Sequence, residues 1–290
     1  MQGYLKVLQQ IFQHPANQGK QVQALLRALN WQLTAKSQEV TEIDFYGYSL
    51  LVHNKEVARR LTYFHPYYDF NSMKFIENYL KPGDYFIDIG ANIGIYTLLA
   101  ASIIGSEGYV DAFEALPTTF ERLKENVERN NIKNITLHPV ATGEQSKTIQ
   151  FTKNFDTRNH IINKDDMISN QTDSVNIPCE PIDNCLNNEN HYAMAKIDVE
   201  GYELPTVKGA ENLLKNSNPP VLLLEINEAF RRYNFSESDI INYLNQKGYE
   251  MAIYNAKNNS IEFTKYRKNH PNVLFIARPY KQIVANRLSN

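Results

Sequence analysis

Apolar and polar positions change period repeatedly along the chain, and each change marks an element. Tyr85–Ile89 and residues 108–113, 135–141, 193–198 and 221–226 are short apolar runs bounded by Gly, Pro, Asn or acids. That is the pattern of strands buried on both faces. Between them apolar residues recur at helical spacing: Ile95, Leu98 and Leu99, then Phe120, Leu123 and Val127, then Leu204, Val207, Ala210 and Leu213. Pro117 suits the first position of the second of these helices. Ser236 and Asp239 make a capping-box-like start, with Gly248 fitting the stop, and residues 250–254 and 272–277 supply two closing strands. Strand and helix alternate, so the fold class is α/β with a doubly wound, mostly parallel sheet.

Upstream of Tyr85 the pattern differs. Residues 2–13 read as a helix stopped at His14-Pro15. Val22, Leu25, Leu26, Leu29 and Leu33 form a stripe on a second helix, expected as a packing face, with a dimer contact or a lid as the alternative. Residues 40–45 and 48–52 flank Tyr46-Gly47 as a β-hairpin. A cluster of Tyr63, Phe64, His65, Pro66, Tyr67, Tyr68 and Phe70 follows, either core or one wall of a pocket. Ser72 is placed to cap a helix running to Leu80, and residues 81–84 turn into the strand at Tyr85. These features divide the chain into an N-terminal helical and hairpin extension, 1–69, and an α/β domain, 70–290. Between 143 and 177 periodicity weakens; 147–152 suits an extra strand and 157–174 an exposed polar loop.

Composition narrows the function classes. The chain has 290 residues, 42% apolar and 21% charged, with a formal net charge of −2. Nothing in that balance argues for nucleic acid or an anionic membrane as partner, so neither is expected. The chain has no apolar run of membrane-spanning length and no basic-then-apolar leader, so a cytoplasmic setting is expected. Its two cysteines, Cys179 and Cys185, are too few for a four-ligand zinc site and are expected reduced and structural. No histidine–acid spacing argues for a metal, and none is assigned.

The stretch from Tyr85 carries the chemistry. Asp88 lies inside the strand, Gly90 breaks it, and Asn92 and Gly94 precede the helix. In doubly wound sheets a ligand sits beyond the carboxyl end of such a strand, at the helix N-terminus. Gly90 and Gly94 are expected to let a cofactor lie against backbone, with free N–H groups suiting its anionic end. A dinucleotide fingerprint needs glycine two residues after Gly90, where Asn92 stands, and the lysine of a phosphate-binding loop is absent. Glu114 ends the second strand, 24 residues after Gly90, where an acid can take a ribose hydroxyl pair. Asp198 and Glu200, two apart at a strand end, point the same way while the chain stays extended. Glu225 sits among Leu222, Leu223, Leu224 and Ile226, and a buried acid is seldom idle. His138 and His160 are weaker candidates as bases. Asn218-Pro219-Pro220 precedes a strand with Val221 after it, so it reads as a turn rather than an amino-methylation motif.

The turn D-x-G-x-x-x-G resembles motif I of class I S-adenosylmethionine methyltransferases. Three segments in order, FIDIGANIG, AFEALPTTFERLKENVERNN and KIDVEGYELPTVKGAENLL, followed by LLLEI, resemble the FkbM family of these enzymes over about residues 70–278. The resemblance implies a Rossmann-like sheet of seven strands, one antiparallel, and S-adenosylmethionine as cofactor. It further implies O-methylation, often of sugars or natural products. Family members usually carry Pro where Ala115 stands; Pro117 keeps the following proline. On this reading Asp88, Gly90, Ala91, Asn92, Gly94, Glu114, Ala141 and Asp198 bind the cofactor. Asp198 is the leading base toward a small-molecule, sugar or glycan hydroxyl, with Glu200 and Glu225 behind it. An acid cluster could instead hold a divalent metal that acidifies the hydroxyl. A nicotinamide oxidoreductase and a catalytically silent cofactor-binding module are the alternatives.

Overall fold

The amphipathic N-terminal segments fold as α1 (Gln2–Gln13), α2 (Gln21–Thr34), the hairpin β1 (Thr41–Phe45) and β2 (Tyr48–Val52), α3 (Lys55–Tyr63) and α4 (Phe70–Tyr79). The computed structural model describes residues 2–34, 39–152, 160–162, 173–187, 189–267 and 270–289. Most of the loop expected at 157–174 lies outside them. The α/β part follows as β3 (Tyr85–Ile89), α5 (Ile95–Ile104), β4 (Tyr109–Phe113), α6 (Pro117–Arg129) and β5 (Ile135–His138). Three strands form a separate small sheet: β6 (Ala141–Thr142), β7 (Lys147–Thr152) and β8 (Ser174–Glu180). After α7 (Ile182–Cys185) the main sheet resumes with β9 (Tyr192–Ile197), α8 (Glu203–Lys208), α9 (Glu211–Lys215) and β10 (Val221–Glu225). It closes with α10 (Glu237–Gln246), β11 (Tyr249–Asn255), β12 (Ser260–Phe263), β13 (Asn272–Ala277) and α11 (Lys281–Ser289).

The main sheet has eight strands in the order β12-β11-β13-β10-β9-β3-β4-β5. Strands β5, β4, β3, β9 and β10 run parallel, and β13 is antiparallel to both β10 and β11. The eighth strand, β12, pairs antiparallel with β11 at the edge and is one more than the resemblance implied. Its short sequence SIEF is mostly exposed, which is why no apolar run announces it. Side-chain alternation splits the core into two layers. Phe86, Val110, Ala112, Met194, Leu223 and Leu274 pack on one face; Ile87, Ile89, Phe113, Ala195, Ile197, Leu222 and Phe275 pack on the other.

The capping box at Ser236 and Asp239 forms, and Gly248, at φ +91°, follows the end of α10. By contrast, α4 begins at Phe70, two residues before Ser72, and is preceded by Asp69, whose carboxylate accepts a bond from the Ser72 hydroxyl at 2.5 Å. The α2 stripe is the larger departure. Val22, Leu26, Leu29 and Leu33 are exposed, at 71%, 61%, 59% and 83%, so the expected packing face is not buried. The buried face of α2 is instead made by Ala24 and Ala28, small enough to let neighbouring helices approach. Arg27 closes that inner face, donating to the carbonyl of Thr62 and to Asn17.

Two asparagines, Asn126 on α6 and Asn130 just after it, fasten the hairpin to the α/β part. Asn130 bonds the backbone of Ser49 in both directions, and wholly buried Asn126 does the same at Leu51. Asn126 Nδ2 also donates to the carbonyl of Ile93, in the turn after β3, at 2.8 Å. Replacing Asn126 with leucine removes these bonds and orphans buried backbone groups. A loss of about 3 kcal/mol in unfolding free energy is expected. Urea denaturation checks it; an unchanged midpoint would mean that the hairpin is not held through this residue.

Candidate active site

Two turns meet where the parallel strands end. The backbone N–H of Asp198 donates to the carbonyl of Ile89 at 3.0 Å, drawing the chain after β9 against the turn after β3. A Cβ on Gly90 would lie 1.8 Å from the Asp198 carbonyl oxygen, and Gly90 has φ +80°. Gly90 is therefore required by the approach of two backbones, before any ligand is considered. Gly94, at φ +95°, starts α5, and a Cβ there would lie 2.8 Å from Leu123. The expected free N–H groups of this turn are already used. Gly90 and Ala91 donate to Phe113, Asn92 to Glu114, Ile93 to the Asn92 side chain, and Gly94 to Ala91. Donors for an anionic group remain in the first turn of α5, as at any helix start.

Glu114 ties this turn to the end of β4. One carboxylate oxygen accepts from Asn92 N at 2.9 Å and the other from Leu116 N at 3.0 Å. Burial pushes its carboxyl up to about 7, although those bonds pull the other way. Glu203 has the matching role in the second turn, accepting from Val199 N and Gly201 N. It holds Glu200 at φ +53°, and burial pushes its carboxyl, too, up to about 7. Glu203 stands in the first turn of α8, and its carboxylate staples the turn before it. Because that turn is not extended, Asp198 and Glu200 converge by the turn and not by strand alternation.

Asp198, Glu200 and Glu225 each present a carboxylate oxygen, and these lie within 4.8 Å of one another. Lys196, 4% exposed, places Nζ 3.0 Å from Asp198 Oδ2 and 4.5 Å from the centre of the Tyr96 ring. Burial works against ionisation of Asp198, but the Lys196 ammonium and hydrogen bonds from Glu225 and Lys196 hold it below the usual carboxylate range. Burial, then the Asp198 charge, pushes Glu225 up to about 9. At neutral pH the pair is thus an ionised Asp198 accepting a bond from a protonated Glu225. Lys196 escaped the sequence reading, yet it is a charge inside the apolar strand AMAKI, two residues before Asp198. That position is a usable signal.

One cavity of about 420 Å³ joins these groups. Gly90, Ala91, Asn92, Glu114, Ala141, Asp198, Glu200 and Glu225 line it. Asp88 and Gly94 do not: Asp88 is fully buried behind the wall, accepting from Thr97 Oγ1 at 2.6 Å. Beyond Asp198 the wall is made by Arg60, Tyr68, Asn71, Phe75, Tyr254 and Asn272, among others. Of the upstream aromatic cluster only Tyr68 reaches it, with Arg60 over its ring at 4.7 Å. His138 bonds Asp111 at 2.8 Å, away from the cavity, and His160 is buried outside its lining.

A parallel sheet of this order, with a glycine turn, a buried acid on the neighbouring strand and a cavity across their ends, defines a class I methyltransferase fold. The chain belongs to the FkbM methyltransferase family, whose domain model matches residues 88–251, more than half its length. A model for protein-L-isoaspartate(D-aspartate) O-methyltransferase also matches, over residues 21–148. Among curated proteins none matches the chain. Similar solved structures include an rRNA methylase from Streptococcus thermophilus, 13% identical, covering 70% of this chain and 91% of that one at a TM-score of 0.39. An S-adenosylmethionine-dependent O-methyltransferase from Thermotoga maritima is 11% identical, covering 78% and 71% at 0.40. Aeropyrum pernix fibrillarin with bound S-adenosyl-L-methionine is 13% identical, covering 70% and 72% at 0.34. Likeness at this level carries no argument about the acceptor. It does correct one expectation: with an rRNA methylase among the similar structures, a net charge of −2 is no ground for excluding nucleic acid. Among the described residues no helix is long and apolar enough to cross a membrane.

The protein is an S-adenosylmethionine-dependent methyltransferase, and its residues fit that cofactor. Glu114 is a buried acid on the cavity wall whose oxygens each keep a lone pair beyond the bonds they accept, which suits a ribose hydroxyl pair. The start of α5 suits a carboxylate. Replacing Glu114 with alanine is expected to weaken S-adenosylhomocysteine binding roughly ten- to a hundredfold by calorimetry without unfolding the protein. Since the ionised carboxylate is the better acceptor, wild-type affinity should fall by about tenfold from pH 8 to pH 6 as Glu114 takes up its proton. Affinity flat with pH and unchanged by the substitution would place the ribose elsewhere. NAD should give no thermal shift.

Proposed function

We propose that the protein is an O-methyltransferase acting on a hydroxyl of a small molecule, sugar or glycan. The observation that carries this reading is the ionised Asp198 on the cavity wall, between the cofactor side and the polar pocket beyond it. The cofactor supplies an electrophilic methyl group. Everything else is positioning: oxygen, carbon and sulfur must be held in line. Asn272 stands opposite Glu225 in the β10–β13 register, and with Tyr68 and Arg60 it offers hydrogen-bond donors for an acceptor rich in hydroxyls.

Asp198 is the proposed base, supported by Glu225 and Glu200. A carboxyl held below its usual range is a weak base, but it is sufficient here. An alcohol oxygen that gains a methyl while keeping its proton is a far stronger acid than a carboxylic acid. Lys196 keeps Asp198 ionised and oriented, and the protonated Glu225 donates a second bond to its carboxylate. We assign the activity to the cytosol, in keeping with Cys179 and Cys185 both being free thiols.

Mass spectrometry across hydroxylated acceptors, reading the gain of one methyl, tests the reaction. Methyl found on nitrogen or carbon would overturn O-transfer. With an acceptor in hand, Asp198→Asn should lower turnover by roughly 10²–10⁴ while changing S-adenosylhomocysteine affinity little. Collapse of rate and affinity together would make Asp198 a cofactor ligand. No change in either would remove it from the site.

A further inference from the structure

We propose that Arg60 and Tyr68 form an acceptor subsite for an oxyanion, so that the methylated hydroxyl belongs to an acidic sugar bearing a carboxylate or a phosphate. The proposal rests on reading the cavity beyond Asp198 as the acceptor's. Both residues line that side of it. Arg60 stands in the last turn of α3, where a cation complements the helix dipole. The dipole accounts for a cation there but not for where it leans. Its guanidinium lies over the Tyr68 ring, 4.7 Å from the ring centre. Stacking covers one face of the guanidinium and leaves the N–H groups along its edge, a fork that matches two oxygens of a carboxylate or phosphate. Neither polar group is spent within the protein. Arg60 makes no ion pair or side-chain hydrogen bond with a described residue, and the Tyr68 hydroxyl bonds none of them.

The charges around the cavity single this cation out. Asp69, Glu114, Asp198, Glu200 and Glu225 line it, and among the described residues Arg60 and Lys196 are the only arginine and lysine that do. Lys196 is spent on Asp198 at 3.0 Å. Asp69, next in sequence to Tyr68, is taken by the Ser72 hydroxyl at 2.5 Å and by Asn272 Nδ2 at 2.7 Å. Arg60 is therefore the cation left for a ligand. A lone cation beside these acids suits one oxyanion on a small acceptor; a polyanion needs a basic stripe. Tyr68 joins the subsite to the reacting end. Burial pushes its phenol above the usual range, Arg60 pulls the other way, and the charges of Asp198 and Glu225 reach it as well. The phenol thus stays a neutral donor within reach of Arg60 and of the acid cluster. An acceptor with its oxyanion on Arg60 passes along Tyr68 and brings a neighbouring hydroxyl to Asp198.

Ligand-detected NMR on the full chain saturated with S-adenosylhomocysteine tests the subsite, with the start of α5 already occupied. The probes are glucuronate, glucose 6-phosphate and glucose. At least one anionic probe should bind roughly ten- to a hundredfold tighter than glucose, and added salt should erode the difference. Glucuronate in the lead identifies a carboxylate and glucose 6-phosphate a phosphate; either supports the subsite. Arg60→Met should bring the anionic probes down to the level of glucose, while S-adenosylhomocysteine still raises the melting temperature of the variant. Should that variant fail to fold, Arg60→Gln takes its place with the same expectation. Tyr68→Phe keeps the ring under Arg60 and should weaken the favoured probe; unchanged affinity there overturns the part given to Tyr68. Glucose binding as tightly as both anionic probes, or no measurable binding of either, overturns the proposal. So does a preference that survives the loss of Arg60, which would put the oxyanion elsewhere. Because no turnover is read, the outcome is separate from whether the methyl group is found on oxygen.

Discussion

Where the parallel strands end, carboxyl groups outnumber the cations that could balance them. Asp88, Glu114 and Glu203 are buried, Asp198 and Glu225 face the cavity beside them, and Lys196 is the one buried lysine or arginine among the described residues. A medium that penalises charge cannot hold five anions around one ammonium. The cluster divides instead. Asp198 keeps its charge beside Lys196, Glu225 keeps its proton, burial raises Asp88, and Glu114 and Glu203 are steadied by backbone N–H groups. Those same N–H bonds fix the two turns that form the cavity floor, so electrostatics and local geometry are one constraint.

Contact between the turns sets how finely the site is built. The Asp198 carbonyl lies so close to Gly90 that no side chain fits between them, and Gly201 packs in the same way against Ala229. Asn126 carries this rigidity outward, joining the turn after β3 to the hairpin. Through the hairpin and α3 the N-terminal extension is part of the cavity wall, since Arg60 and Tyr68 come from it. The cavity therefore straddles the boundary that the apolar pattern draws at residue 69.

Much of this was legible in the sequence, and what was not has physical reasons. Strands β3, β4, β9 and β10 announce themselves because a strand buried on both faces must be apolar throughout. Of the small sheet, β7 is legible as the extra strand at 147–152, while β8 is not, because it alternates weakly and 21 residues separate it from its hairpin partner. The glycines were found but their cause was misread: spacing marks where backbone must come close, and does not say whether the neighbour is ligand or chain. Lys196 belongs to no recognisable motif spacing, although a charge inside a buried strand asks for a partner. The α2 stripe was read from periodicity alone, which reveals an apolar face without saying what covers it.

A crystal structure of the protein with S-adenosylhomocysteine tests the central claim most directly. The account predicts the ribose hydroxyls on the Glu114 carboxylate, the amino-acid end at the start of α5, and the sulfur turned toward Asp198 and Glu225. A ligand whose ribose avoids Glu114, or whose sulfur faces away from the Lys196–Asp198–Glu225 cluster, would contradict it.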